Sequence, residues 1–141
     1  MNLNDLKKLI KKIYNEGLFV YTNDQEKSEE IIKLEEITGY KDVNELFFSD
    51  LAPDYVYDTI VLYKNITSKN INEDEYIGMI DKLIDKLDDI KEYELDLYCK
   101  LLGKHLGINA NDVFDHIFEL SEENFTAKEI YNKLKNNIFT K

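Results

Sequence analysis

Soft and nitrogen ligands for a transition metal are few in this sequence: one cysteine, Cys99, and two histidines, His105 and His116. Zinc sites place such residues two to five positions apart in pairs, and neither the six-residue step from Cys99 to His105 nor the inclusion of Asp112 reproduces that pattern. Calcium would need alternating acids in a loop around a central glycine, whereas the aspartates of 81–96 fall in helix-like sequence. The five glycines are scattered and make no phosphate-cradling loop. With twenty-nine acids, carboxylate pairs abound, but a general acid needs burial to raise its pKa, and no acid here is flanked by apolar residues on every side. Cys99 is expected to be a buried, inert thiol. The sequence therefore predicts no enzyme, no cofactor and no metal.

The chemistry it offers is one-signed charge. In "DKLIDKLDDIKEYELD", residues 81–96, a helical repeat puts Asp81, Asp85, Asp88, Glu92 and Asp96 in one narrow strip, with Asp89 at its border. Ile80, Leu83, Ile84 and Leu87 fall on the opposite side. As one continuous helix the strip would run about 22 Å at the usual rise, with Lys82, Lys86 and Lys91 off to its sides. Like charges three and four residues apart cost a few tenths of a kcal/mol per pair.

The charge is segregated along the chain. Residues 42–99 hold fifteen acids and five lysines, while 1–41 hold eight and seven, and 100–141 hold six of each. Between Lys41 and Lys64 no basic residue occurs, yet Asp42, Glu45, Asp50, Asp54 and Asp58 stand there among Phe47, Phe48, Tyr55, Tyr57 and Tyr63. The simpler account is that every water-facing helix needs a polar side. Against it, ordinary surfaces mix both signs, and a one-signed field steers a complementary partner. All eighteen basic residues are lysine. Without arginine's planar fork, and at net charge −11, the chain is excluded as a nucleic-acid binder.

These residues need elements to position them, and apolar spacing predicts a succession of helices. Leu3, Leu6, Leu9, Ile10, Ile13 and Tyr14 form one face of the first, stopped at Gly17. Asn23 or Asp24 is expected to cap a second, through Ile31 and Leu34 to Gly39. Asp42 with Glu45 has the spacing of a reciprocal cap, and Pro53 fits a first helical position. Asn72 with Glu75 opens the long acidic segment, expected to continue through Leu101 and Leu102 to Gly103 or Gly107. Asn109 and Asp112 open the next helix, and Thr126 with Glu129 caps the last. The fold expected is all-α, a compact bundle of six to eight helices in a single domain over residues 1–141. A small two-stranded element from "LFVY" and "TIVLY" is the α+β alternative.

A lone cysteine fits a reducing, cytoplasmic setting, and no apolar run reaches the roughly 18 residues of a membrane span. The function expected is an acidic, helical inhibitor that binds a basic protein partner, a nuclease or other nucleic-acid-binding protein, by standing in for phosphates. Phage inhibitors of bacterial defence nucleases such as CRISPR effectors, and immunity proteins against nuclease toxins, share this physics. Asp54, Tyr55, Tyr57, Asp58, Asp81, Asp85, Asp88, Asp89, Glu92 and Asp96 are the expected contacts. A helical scaffold whose acidity serves only solubility is the alternative.

Overall fold

The computed structural model describes residues 2–21 and 26–136. The fold is all-α: eight helices and no strand are found among the described residues. They are α1 Leu3–Glu16, α2 Glu29–Thr38, α3 Val43–Leu46, α4 Asp54–Thr67, α5 Glu73–Asp85, α6 Glu92–Leu106, α7 Ala110–Glu122 and α8 Ala127–Lys135. They cluster into two compact units, Met1–Ser68 and Lys69–Lys141. No glycine or proline marks the junction after α4, so nothing in composition announces it.

In the first unit α1 packs on α2 and α4, and α3 packs on both α2 and α4. Leu6, Ile10 and Ile13 bury one face of α1, while Leu3 and Tyr14 at its ends remain exposed. Ile31 and Leu34 of α2, Val43 and Leu46 of α3, and Val56 and Ile60 of α4 complete the core. Each such side chain contributes about 1.5–3 kcal/mol on leaving water. Gly17 and Gly39 end α1 and α2 in the left-handed conformation, at φ 61° and 71°, which spares a side chain the strain there.

Several expected starts are displaced. Asn23 and Asp24 lie outside the described residues, and the cap of α2 is Ser28, whose hydroxyl accepts from the Ile31 N–H and donates to the Leu18 carbonyl. Asp42 makes no side-chain cap, and Pro53 stands one position before the first helical residue of α4. The run "TIVLY" is helical, within α4. "LFVY" pairs with no strand; the Asn44 side chain satisfies Val20 instead, accepting its N–H and donating to its carbonyl, both at 2.8 Å. One amide thus supplies both bonds that a neighbouring strand would have given.

In the second unit α5 packs on α8, α7 and α6, and α7 also packs on α6 and α8. Both reciprocal caps form: Asn72 with Glu75 on α5, and Thr126 with Glu129 on α8. The acidic segment is not one helix. α5 stops at Asp85, Lys86 leaves helical geometry at φ −116°, and its carbonyl accepts from the N–H groups of Asp89 and Ile90. α6 then begins at Glu92. The break lets Met79, Ile80 and Leu83 of α5 and Leu97, Tyr98 and Leu102 of α6 bury their faces in one short unit.

Candidate partner-binding surface

On α5 the buried residues Met79, Ile80 and Leu83 fix the opposite side as the solvent face. That face carries Asp74, Gly78, Asp81 and Asp85, spaced four, three and four residues apart and all exposed. Asp74 belongs to the same row as Asp81 and Asp85, and the three span about 17 Å at the helical rise. Sequence reasoning began the row at residue 81 and missed Asp74, although the same i, i+4, i+7 count reaches it.

The expected continuous strip is therefore replaced by a bent one. Asp88 and Asp89 occupy the turn after α5, and Glu92 is the first residue of α6; all three are exposed. Glu92 also sits where the partial positive charge of a helix N-terminus favours an anion. Among the described residues Asp81, Asp85, Asp88, Asp89 and Glu92 form no ion pair, unlike Glu30 with Lys12 and Glu35 with Lys27. Lys82, beside the row, is directed to α6: its ammonium donates to the Tyr98 hydroxyl at 3.3 Å and lies 5.6 Å from that ring's centre. Tyr98 in turn donates to Glu94 at 3.4 Å. Asp96 is different. It is half-buried, and its charge is the second cause, after burial, that pushes up the Cys99 thiol.

Asp54, Tyr55, Tyr57 and Asp58 stand on α4, in the first unit. Asp54 is exposed and the other three are half-buried. The Lys7 ammonium lies 5.0 Å from the centre of the Tyr57 ring, so one cation already occupies that aromatic face. The acidic middle of the sequence is thus shared: the first unit carries thirteen acids and eight lysines, the second sixteen and ten.

The residues considered for catalysis and metal binding have other surroundings. Cys99 is buried, and its thiol is pushed up to about 12 by burial and then by Asp96, so it stays protonated at neutral pH. His105 stacks on Tyr76 with ring centres 3.9 Å apart and planes 8° from parallel, and its Nε2 hydrogen-bonds with the Tyr131 hydroxyl at 2.9 Å. This trio ties α5, α6 and α8 together, and no spacing rule pointed to it. Burial raises both phenols, helped at Tyr76 by Glu75 and at Tyr131 by Glu73 and Tyr76, so neither ionises at neutral pH. Among the described residues no group of three or more His, Cys, Asp or Glu side chains is placed to hold a metal ion. Nor is any helix there long and apolar enough to cross a membrane.

No protein-family model, curated protein or solved structure matches this chain.

Proposed function

We propose that this protein binds a basic protein surface through the bent acidic row of its second unit and thereby blocks it. The observation that carries this reading is the row itself. Asp74, Asp81 and Asp85 on α5, followed by Asp88, Asp89 and Glu92, are exposed, and the last five make no ion pair among the described residues. A run of unneutralised carboxylates at this spacing presents a basic groove with the charge it evolved to meet in a phosphate backbone. Nucleases and other nucleic-acid-processing proteins have such grooves. A phage inhibitor of a defence nuclease and an immunity protein for a nuclease toxin are the two settings in which blocking one is useful.

The test compares the wild-type chain with a variant carrying Asp81→Asn, Asp85→Asn, Asp88→Asn and Glu92→Gln. Both are immobilised and presented with the nucleic-acid-binding proteins of the source cell. The proposal expects a captured protein that is released by salt and by duplex DNA, whose nucleic-acid binding the wild type suppresses and the folded variant does not. Capture that survives salt and DNA and is equal for both chains would leave the protein as a helical scaffold using apolar faces.

A further inference from the structure

Helix α5 carries one residue that its own fold does not ask for. Gly78 lies in the interior of the helix, on the exposed face, four residues after Asp74 and three before Asp81. Its backbone is helical, and a β-carbon built on it would meet nothing within 4 Å. Glycine is the poorest helix former after proline, so the position lowers helix stability with no return inside the molecule. Gly103 is the contrast: a β-carbon there would come within 2.5 Å of the Ile108 carbonyl, so packing requires its absence.

The bare turn stays uncovered because its two longer neighbours are held elsewhere. A helical side chain leans over the turn that precedes it, so Lys82, four residues on, is the natural cover for Gly78. Its ammonium instead donates to the Tyr98 hydroxyl of α6, at 3.3 Å. Glu75, three residues before, turns back to accept from the Asn72 N–H at 3.2 Å. What remains is a notch of helix backbone with an exposed carboxylate at each end along the axis, Asp74 and Asp81, about 10 Å apart at the helical rise.

A notch without a β-carbon admits main chain. At Gly78 a partner's backbone can approach α5 more closely than anywhere else on the row. An extended segment projects successive side chains in opposite directions, so one that crosses the helix there sends one side chain toward Asp74 and the next toward Asp81. The two carboxylates set the charge of both. A single cation pairing with a single aspartate needs no such gap, since Asp85 offers that contact as well.

We propose that Gly78 is the seat of a partner's main chain: an extended segment with two adjacent basic residues crosses α5 at this position and pairs with Asp74 and Asp81. This rests on the α5 row being the binding surface, and Gly78 then determines which basic segments fit it.

The probes are a short peptide with two adjacent lysines and blocked ends, and its isomer in which a serine separates the lysines. Each is titrated at low ionic strength into the labelled full chain while the amide shifts of residues 74–85 are followed. The adjacent pair should bind about threefold more tightly than the separated one, the worth of one further exposed ion pair. Gly78→Ala should weaken the adjacent pair while raising the urea midpoint of the protein, an opposition that a purely structural role for Gly78 does not produce. Gly78→Leu, of unchanged charge, should remove the preference between the peptides. Equal binding of the two peptides by the wild type, undiminished binding by Gly78→Ala, or a preference that survives in folded Gly78→Leu overturns the seat at Gly78. Asp81→Asn with Asp85→Asn separates the two readings. If that variant binds both peptides at 74–85 as the wild type does, the α5 row fails and the seat with it; if it weakens both while Gly78→Leu changes nothing, only the seat fails.

Discussion

Burial decides the chemistry of Cys99. A thiol raised to about 12 is not a nucleophile near neutrality, so Cys99 should resist Ellman's reagent at pH 8 in the native protein and react fully in urea. The same shift has a stability sign. The unfolded chain releases this proton from about its ordinary value of 9, while the folded chain holds it until about 12. The contribution is thus complete below pH 9 and is lost as pH rises through that window, and the raised phenols of Tyr76 and Tyr131 add to the loss above 10. Urea midpoints should accordingly fall between pH 9 and 12. Around Tyr131 the cost of an orphaned group is also testable. His105→Ala removes the imidazole that hydrogen-bonds the Tyr131 hydroxyl, on a side chain only 1% exposed, and should cost about 1–3 kcal/mol. Adding Tyr131→Phe should return part of it, because no hydroxyl then remains unmet.

Within the helices two glycines give opposite predictions. Gly103 lies in α6 where the chain folds back after Gly107, and a β-carbon there would come within 2.5 Å of the Ile108 carbonyl and 3.4 Å of the Ala110 Cα. These are backbone atoms and cannot swing aside. Gly103→Ala should destabilise by about 1–3 kcal/mol despite alanine's better helix propensity. Gly78, on the exposed face of α5, has nothing within 4 Å of such an atom, so Gly78→Ala should stabilise by about 0.5–1 kcal/mol. Denaturant midpoints of the two variants check both signs. At the start of α8, Glu129 is held below the usual carboxylate range chiefly by the Thr126 backbone N–H and then by its hydroxyl. This lock contributes above the unfolded value near 4.5 and is lost as acid protonates Glu129. Thr126→Ala should cost about 1 kcal/mol at neutral pH, measured by urea unfolding, with a smaller difference at pH 3.

For the whole molecule, twenty-nine acids stand against eighteen lysines, a net charge of −11, and Asp81, Asp85, Asp88, Asp89 and Glu92 form no ion pair among the described residues. Repulsion is therefore left unscreened at low ionic strength, and added sodium chloride should raise the thermal midpoint while weakening capture of a basic partner. A protein that used its acids mainly in internal pairs would show the reverse on stability. The Asp81→Asn, Asp85→Asn pair should keep its helical circular dichroism and gain a few tenths of a kcal/mol, since it removes a like-charged contact one helical turn long.

Local rules were sufficient wherever a structure depends on neighbours in sequence. The all-α class, the stops at Gly17 and Gly39 and the reciprocal caps Asn72–Glu75 and Thr126–Glu129 were all legible, because each is set by residues within one turn. The break after Asp85 was not. The repeat of 81–96 is compatible with one straight helix, and the chain bends there because two buried faces must meet the same core. For the same reason the sequence showed the acids of α5 but neither the corner that carries Asp88, Asp89 and Glu92 nor the tie between Lys82 and Tyr98. The pin from Asn44 to Val20 and the stacking of Tyr21 on Phe48 join residues more than twenty positions apart. Periodicity within a segment carries no information about such meetings. Composition and short-range spacing determined what the helices are and which side of each is wet; only packing decided where they bend, how they group and which charges and rings end up side by side.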